Sequence, residues 1–386
     1  MRTVPRCTRR AAASILLGAA FSGAQSREDP MFAVRGLADN PDAIDWNRVP
    51  RLPGDTATVF AGSAGESTYN NHAYLEHFDG RFWAMWSTHA TDGNFHGMHV
   101  RYATSADGMK WSPARLLSPI PKGKRYVARG FWVRDGALLA LASLDSGQPK
   151  KQPHWAAPDL TLEAFEWKRG RWPELGTVHP DTINNFPPKK LPGGVWAMAR
   201  RDYQFNLSLM MGGVKGFNQW EISPVPNPEG RPFNEPDLLI RPDGKIAMHI
   251  RDNRASRRIY RSVSADGGRT WSTPLRTNFP DANAKNFNLR LRNGLCVLVS
   301  NANTQGPHRR VPLTLATSRD GIVYDRIAVV EGAPGGPRMP GHDKGPGYTY
   351  PHAIEHGDHV YVIYAHHRDD IVVRRFSAAQ LEKMPA

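Results

Sequence analysis

The chain is poor in cysteine: only Cys7 and Cys296 occur in 386 residues. Cys7 lies in an N-terminal segment that reads as a removable leader, so one thiol is left and no internal disulfide can form. Cys296 sits in the apolar run Leu295-Cys296-Val297-Leu298-Val299, where a cysteine behaves as a small buried hydrophobe. Past the leader, no apolar stretch reaches transmembrane length. Long helical patterns are missing as well, and only residues 378–383 look helical. There is no phosphate-binding glycine loop, dinucleotide fingerprint, serine nucleophile elbow or zinc-protease motif. The familiar nucleotide-dependent, serine-hydrolase and zinc-protease classes therefore have no foothold here. Runs of Lys or Arg are absent too, although the formal net charge is +14. Removing the four leader arginines leaves 14 − 4, about +10. Basic charge spread in this way suits an acidic small molecule or glycan better than DNA.

The leader itself has a recognisable anatomy. Arg2, Arg6, Arg9 and Arg10 precede a short apolar run over residues 11–20, and small residues follow at Ser22-Gly23-Ala24. This predicts a secretory signal over residues 1–26 and a secreted or periplasmic protein without stable membrane insertion. Thr8-Arg9-Arg10 also fits a twin-arginine signal. Residues 27–55, rich in proline and charge, read as an extended lead-in. Residues 56–386 read as one domain.

From residue 71 the pattern is β throughout. Alternating apolar runs flank two-residue turns at Asp79-Gly80, Asp135-Gly136, Gly193-Gly194, Asp243-Gly244, Asn293-Gly294 and Gly357-Asp358. These turns are 56, 58, 50, 50 and 64 residues apart. A period near fifty, with hairpins inside each unit, predicts an all-β, six-bladed propeller of four-stranded antiparallel blades. The last unit shows three strands, at 348–355, 359–365 and 371–376, and residues 56–62 can supply its fourth. A seventh blade from residues 31–69 is the alternative count.

One motif recurs in phase. Ser264-Ala265-Asp266-Gly267-Gly268-Arg269-Thr270-Trp271 reads S-x-D-x-G-x-T-W, with shorter copies starting at Ser105 and Ser318. The starts differ by 159 and 54 residues, about three to one, as expected of one element in a repeat. The aspartate can accept backbone N–H groups across a tight turn. In a propeller the first strand of each unit lines the axis, so chemistry is sought where the units open. Repeat one opens Asn70-Asn71-His72-Ala73-Tyr74, and repeat three opens Asn184-Asn185-Phe186. Repeat four opens Asn234-Glu235-Pro236-Asp237, and repeat six Tyr348-Thr349-Tyr350-Pro351-His352. Polar groups entering buried strands are costly unless partnered, and their recurrence predicts a pocket at one channel mouth.

The S-x-D-x-G-x-T-W segment resembles the Asp-box of the sialidase-like β-propellers, where it sits on the outer rim. Glu235-Pro236, then Asp243-Gly244 and Arg251, are similar to the sialidase segment with the catalytic glutamate and a substrate-binding arginine. Gly347-Tyr348-Thr349 is similar to the segment with the tyrosine nucleophile, and Arg309 or Arg310 falls near a second arginine. Where sialidases open the first blade with Arg-Ile-Pro, this chain has Asn71-His72. That feature, with Tyr350-Pro351-His352, resembles the branch of rhamnosidases, rhamnose–glucuronate lyases and ulvan lyases. The resemblance implies a catalytic His72, with Arg200 or Arg201 and Arg251 as carboxylate binders. The candidate catalytic set is His72, Glu235 and Tyr348. The substrate-binding set is Asn71, Arg200, Arg201, Arg251, Arg310 and His352. Neither a metal nor a cofactor is expected, since His89, His96 and His99 read as a solvent-exposed loop beside the pocket. The implied function is cleavage of a glycosidic linkage in a uronic-acid-containing oligo- or polysaccharide, by hydrolysis or elimination. An exo-sialidase with a degenerate arginine triad and a non-catalytic lectin-like propeller are the rivals. Nucleic acid is not an expected partner, and nothing in the sequence specifies the oligomeric state.

Overall fold

The computed structural model describes residues 1, 28–93, 95–147, 156–305, 310–333 and 335–385. The leader expected over residues 1–26 lies outside the described residues, apart from Met1. The rest forms six antiparallel sheets. Blade one runs Tyr69–Phe78, Arg81–His89, His99–Ser105 and Arg115–Leu116. Blade two runs Arg125–Arg134, Ala137–Asp145, Thr161–Glu166 and Glu174–Pro180. In blade three the first strand is broken into Ile183–Asn184 and Lys189–Lys190, both paired to Trp196–Arg201, with Leu207–Gly212 and Trp220–Pro224 outside it. Blades four and five begin at Phe233–Ile240 and Phe287–Arg290. Each of the six expected turns joins the first strand to the second in its blade. The count is six, because residues 31–69 build no further sheet.

Blade six joins the two ends of the chain. Tyr348–His356, His359–His366 and Asp370–Ser377 come from the C-terminus, and Asp55–Phe60 adds the outer strand, with Ala57 opposite Val373. An antiparallel edge that would otherwise offer unpaired N–H and C=O groups is thus covered. A short helix, Ala378–Glu382, follows. The lead-in is packed against the propeller. Met31, Phe32, Val34, Ile44 and Val49 are buried with Phe279, Leu298, Tyr324 and Val329 on the outside of blades four and five.

The Asp-boxes form the turns after the third strands of blades one, four and five. Asp266 accepts backbone N–H bonds from Arg269 at 3.1 Å and Thr270 at 2.9 Å, and the Thr270 hydroxyl at 2.6 Å. Asp107 and Asp320 repeat the backbone pattern. Trp271 packs among Leu209, Ile246, Met248 and Tyr260, wedging blade three against blade four. The boxes are rim devices, and the axis is lined elsewhere. Around it the first strands pack on one another, and Tyr74, Phe131, Phe186, Phe287 and Ala353 share one buried cluster.

Candidate active site

Three first strands break register in the same way. Asn71 pairs with Ser87 but Tyr74 with Met85. Asn234 pairs with Arg251 but Asp237 with His249. Thr349 pairs with Ala365 but His352 with Ile363. Each is a bulge of two residues against one, which bends the strand and re-aims a side chain. The first bulged residue is His72, Glu235 or Tyr350, with φ of 53°, 48° and 56°. None is glycine, so each holds a strained left-handed backbone, at about 1–3 kcal/mol apiece. Strain repeated at one phase on three blades marks positions held for the sake of their side chains.

The three side chains meet. The Tyr350 hydroxyl donates to Glu235 Oε1 at 2.8 Å. Arg251 Nη1 donates to Glu235 Oε2 at 2.6 Å, and Arg251 Nε to Asn283 Oδ1 at 3.0 Å. The His72 ring lies 4.0 Å from the Tyr350 ring, centre to centre. Arg310 stands 5.3 Å from the same ring. Glu235, Arg251 and Arg310 are buried, while His72, Tyr350 and Arg368 are partly exposed.

Positive charge dominates. Burial would raise the Glu235 carboxyl, but Arg251 and Arg310 outweigh it and bring it down to about 2. The carboxylate is therefore ionised at any physiological pH. Burial and then Glu235 push the Tyr350 phenol up, so it stays protonated and donates. Burial, reinforced by Arg129 and Lys285, holds His72 well below its usual range, leaving a neutral imidazole whose Nδ1 is buried without a partner. Below the site, Lys285 bonds the Tyr74 hydroxyl at 2.9 Å and stands 4.0 Å from the Phe186 ring.

His72, Glu235, Arg251 and Arg310 thus come together around Tyr350. Arg201 approaches from blade three, held by Asn234 at 2.6 Å. The expected tyrosine does not meet them. Tyr348 is buried against Tyr364 and His366, and the phenol at Glu235 belongs to Tyr350. Arg200 projects from the opposite face of its strand to Arg201, where Asp181 and Asp202 are the carboxylates acting on it. Asn71 is consumed by a blade-to-blade link, donating to the Tyr69 hydroxyl and accepting from Thr349. His352 lies deeper in the channel, accepting the Leu75 N–H and packed on Phe287 at 4.5 Å. Arg309 falls outside the described residues. His89, His96 and His99 do not converge, and each bonds a backbone carbonyl.

Sequence reasoning missed Tyr350, Arg129 and Arg368. A signal for Tyr350 existed: Tyr350-Pro351 stands in the same phase as Glu235-Pro236. Arg129 fills the equivalent place in blade two, at a register shift between Ala128 and Gly130, bonded to Ser143 and Asn185. Arg368 is in a turn between the second and third strands of blade six, where the opening pattern gives no hint of it.

A propeller with a charged, strained cluster at the opening of its inner strands defines a class. Residues 16–362 match the BNR repeat-like domain family, and the chain belongs to it. Among solved structures it is similar to a sialidase at 18% identity and a TM-score of 0.64, covering 90% of this chain and 35% of that one. A protein of unknown function from Dyadobacter fermentans is 16% identical with a TM-score of 0.63, covering 85% of this chain and 99% of that one. A mutant Trypanosoma rangeli sialidase displaying trans-sialidase activity is 14% identical with a TM-score of 0.62, covering 86% and 60%. The chain spans about a third of the first of these and three fifths of the last. At such identities the likeness is one of fold. No curated protein matches.

Proposed function

We propose that this protein is an exported glycosidase that cleaves a linkage next to a carboxylated sugar in an acidic, uronic-acid-containing glycan. The observation that carries this is the chain of bonds Tyr350–Glu235–Arg251. As the Tyr350 oxygen attacks the anomeric carbon, its proton passes to Glu235, the glycosidic carbon–oxygen bond breaks with the departing aglycone oxygen taking a proton from water, and a covalent glycosyl-tyrosine forms. Water then attacks the anomeric carbon and releases the sugar with net retention, one hydrogen staying on the new hydroxyl and the other passing to solvent, while Glu235 returns its proton to the departing Tyr350 oxygen. A neutral phenol as the attacking group suits a substrate whose own charge would repel a bare carboxylate nucleophile. The surrounding guanidinium groups supply the complementary charge. Convergent polar groups on strained backbone favour an enzyme over a lectin, which needs only a surface. The likeness to sialidases supports the chemistry, while His72 at the opening of blade one favours a different acidic sugar from sialic acid.

The test is turnover by the purified protein on rhamnose–glucuronate oligosaccharides, aryl glucuronides and sialosides, with Tyr350→Phe alongside. Retained anomeric configuration in the first product and loss of turnover in Tyr350→Phe are expected. Full activity in Tyr350→Phe would sink the proposal. One observation favours a second reading: neutral His72 presents a buried, unpartnered Nδ1 beside Tyr350. Such an imidazole can take the proton next to a uronate carboxylate in a β-elimination. That route yields an unsaturated uronate, visible by ultraviolet absorbance, and is lost in His72→Ala.

A further inference from the structure

The guanidinium groups around Tyr350 are not equivalent. Arg251 is engaged by Glu235 and Asn283. Arg201 is held by Asn234 and the Asp202 carbonyl, and Arg129 by Ser143 and Asn185. Arg310 and Arg368 differ. Arg310 Nη1 and Arg368 Nε are buried and have no hydrogen-bond partner. A buried donor left unsatisfied costs about 1–3 kcal/mol, so these two point to a ligand that completes them. Both act electrostatically on Tyr350, and Arg368 acts on Arg310 and on His72.

The turn that delivers Arg368 supports the same conclusion. The Asp369 N–H donates to the His366 carbonyl at 2.9 Å, making His367 and Arg368 the central turn residues, with φ of 54° and 61°. Left-handed backbone at both central positions is the hairpin geometry for which Asn-Gly is preferred. Two bulky residues stand there instead. His367 has a structural task, accepting the Gly347 N–H at its Nδ1 at 3.2 Å. Arg368 has no comparable side-chain bond to account for its presence. The turn is nevertheless clamped. The Asn70 N–H donates to the Arg368 carbonyl at 2.7 Å, and Lys344 pairs with Asp369 at 2.5 Å, both side chains buried. A strained turn, fastened beside the opening of blade one, thus holds a guanidinium with an open donor whose charge acts on Tyr350 and His72.

We propose that Arg368 is a specificity-determining residue that, with Arg310, binds the anionic group of the substrate, while Arg251 serves to hold Glu235. The inference rests on the glycosidase reading for the name of the substrate, but anion binding can be measured without turnover. The probes are D-glucuronate and methyl glucoside, titrated calorimetrically into the wild-type protein, Arg368→Gly and Arg368→Lys. Glycine relieves the left-handed position, so Arg368→Gly should melt no lower than wild type. Its glucuronate affinity should nevertheless fall about tenfold or more, the loss expected for a charge-assisted contact. Methyl glucoside should bind both proteins alike, and Arg368→Lys should restore only part of the affinity, because a point charge lacks the planar fork. Unchanged glucuronate affinity in Arg368→Gly, or no glucuronate binding by the wild type, overturns the assignment. Turnover surviving in Tyr350→Phe refutes the glycosidase reading alone and leaves this binding test standing.

Discussion

At the scale of the residue, the site is a proton-transfer chain with fixed polarity. Arg251 makes Glu235 a poor base in isolation, yet it keeps the carboxylate ionised and aimed at the Tyr350 hydroxyl. Tyr350→Phe removes the nucleophile and should lower kcat about 10³-fold or more, with KM little changed, in steady-state kinetics. Tyr348→Phe should leave kcat/KM within about twofold, because that ring lies among Tyr364 and His366. The contrast between two tyrosines on one strand separates a catalytic from a packing role. In a regular strand residues 348 and 350 would share a face. The bulge at Tyr350 breaks that alternation and turns its phenol to the axis. No periodicity read along the chain contains this turn of direction, and the expectation of Tyr348 rested on the likeness of Gly347-Tyr348-Thr349 to the sialidase nucleophile segment.

At the scale of the element, bulges and boxes do different work. The register shift in blade two depends on Gly130, whose φ is 105° and whose absent Cβ would come within 2.7 Å of Pro187 Cδ. Gly130→Ala should therefore destabilise by about 1–3 kcal/mol in a denaturant titration and displace neighbouring Arg129. The Asp-boxes stabilise rim turns through carboxylate-to-backbone bonds. These bonds, chiefly those from Thr270, hold the Asp266 carboxyl below its ordinary range. Asp266→Ala should lower the melting temperature while kcat per folded molecule is unchanged, since the box lies on the rim of blade four. An equal loss of turnover per folded molecule would tie the rim to the site. The boxes were plain in the sequence because a tight turn is a local object. The three bulges were not, because a bulge is defined by what stands opposite it.

At the scale of the whole molecule, acid stability depends on buried neutral histidines. Burial depresses His72, His249 and His352, His249 to about 3. The unfolded chain binds these protons near 6.5 and the folded one does not. Their contribution is fully present above that value and lost as pH falls below it. Glu235, lowered from 4.5 to about 2, adds a loss of the same sign beneath pH 4.5. Asp281 opposes them. Burial raises it from 3.8 to about 7, so its contribution is present below 3.8 and lost as pH rises through 7. Melting temperatures should fall steadily from pH 6.5 toward 3, and His352→Gln should flatten that slope. A steeper slope in His352→Gln would contradict the sign. Ring closure gives a further expectation: deleting residues 1–61 uncovers the edge Asp370–Ser377 and should yield aggregated protein on size-exclusion chromatography.

The repeat period, the turn dipeptides and the Asp-boxes are local in the chain, and from them the sequence by itself determined an all-β, six-bladed propeller with residues 56–62 supplying a strand of its last blade. It also determined that His72 and Glu235 open their blades, because both lie at the repeat phase where inner strands begin. Only the tertiary structure decided which opening residues face the axis. Tyr350 rather than Tyr348, and Arg201 rather than Arg200, follow from strand register and bulges, which are properties of paired strands. Arg368 depended on it entirely. The groups on which its charge acts, Tyr350, His72 and Arg310, are brought together by the closing of a ring whose ends lie more than three hundred residues apart in the chain.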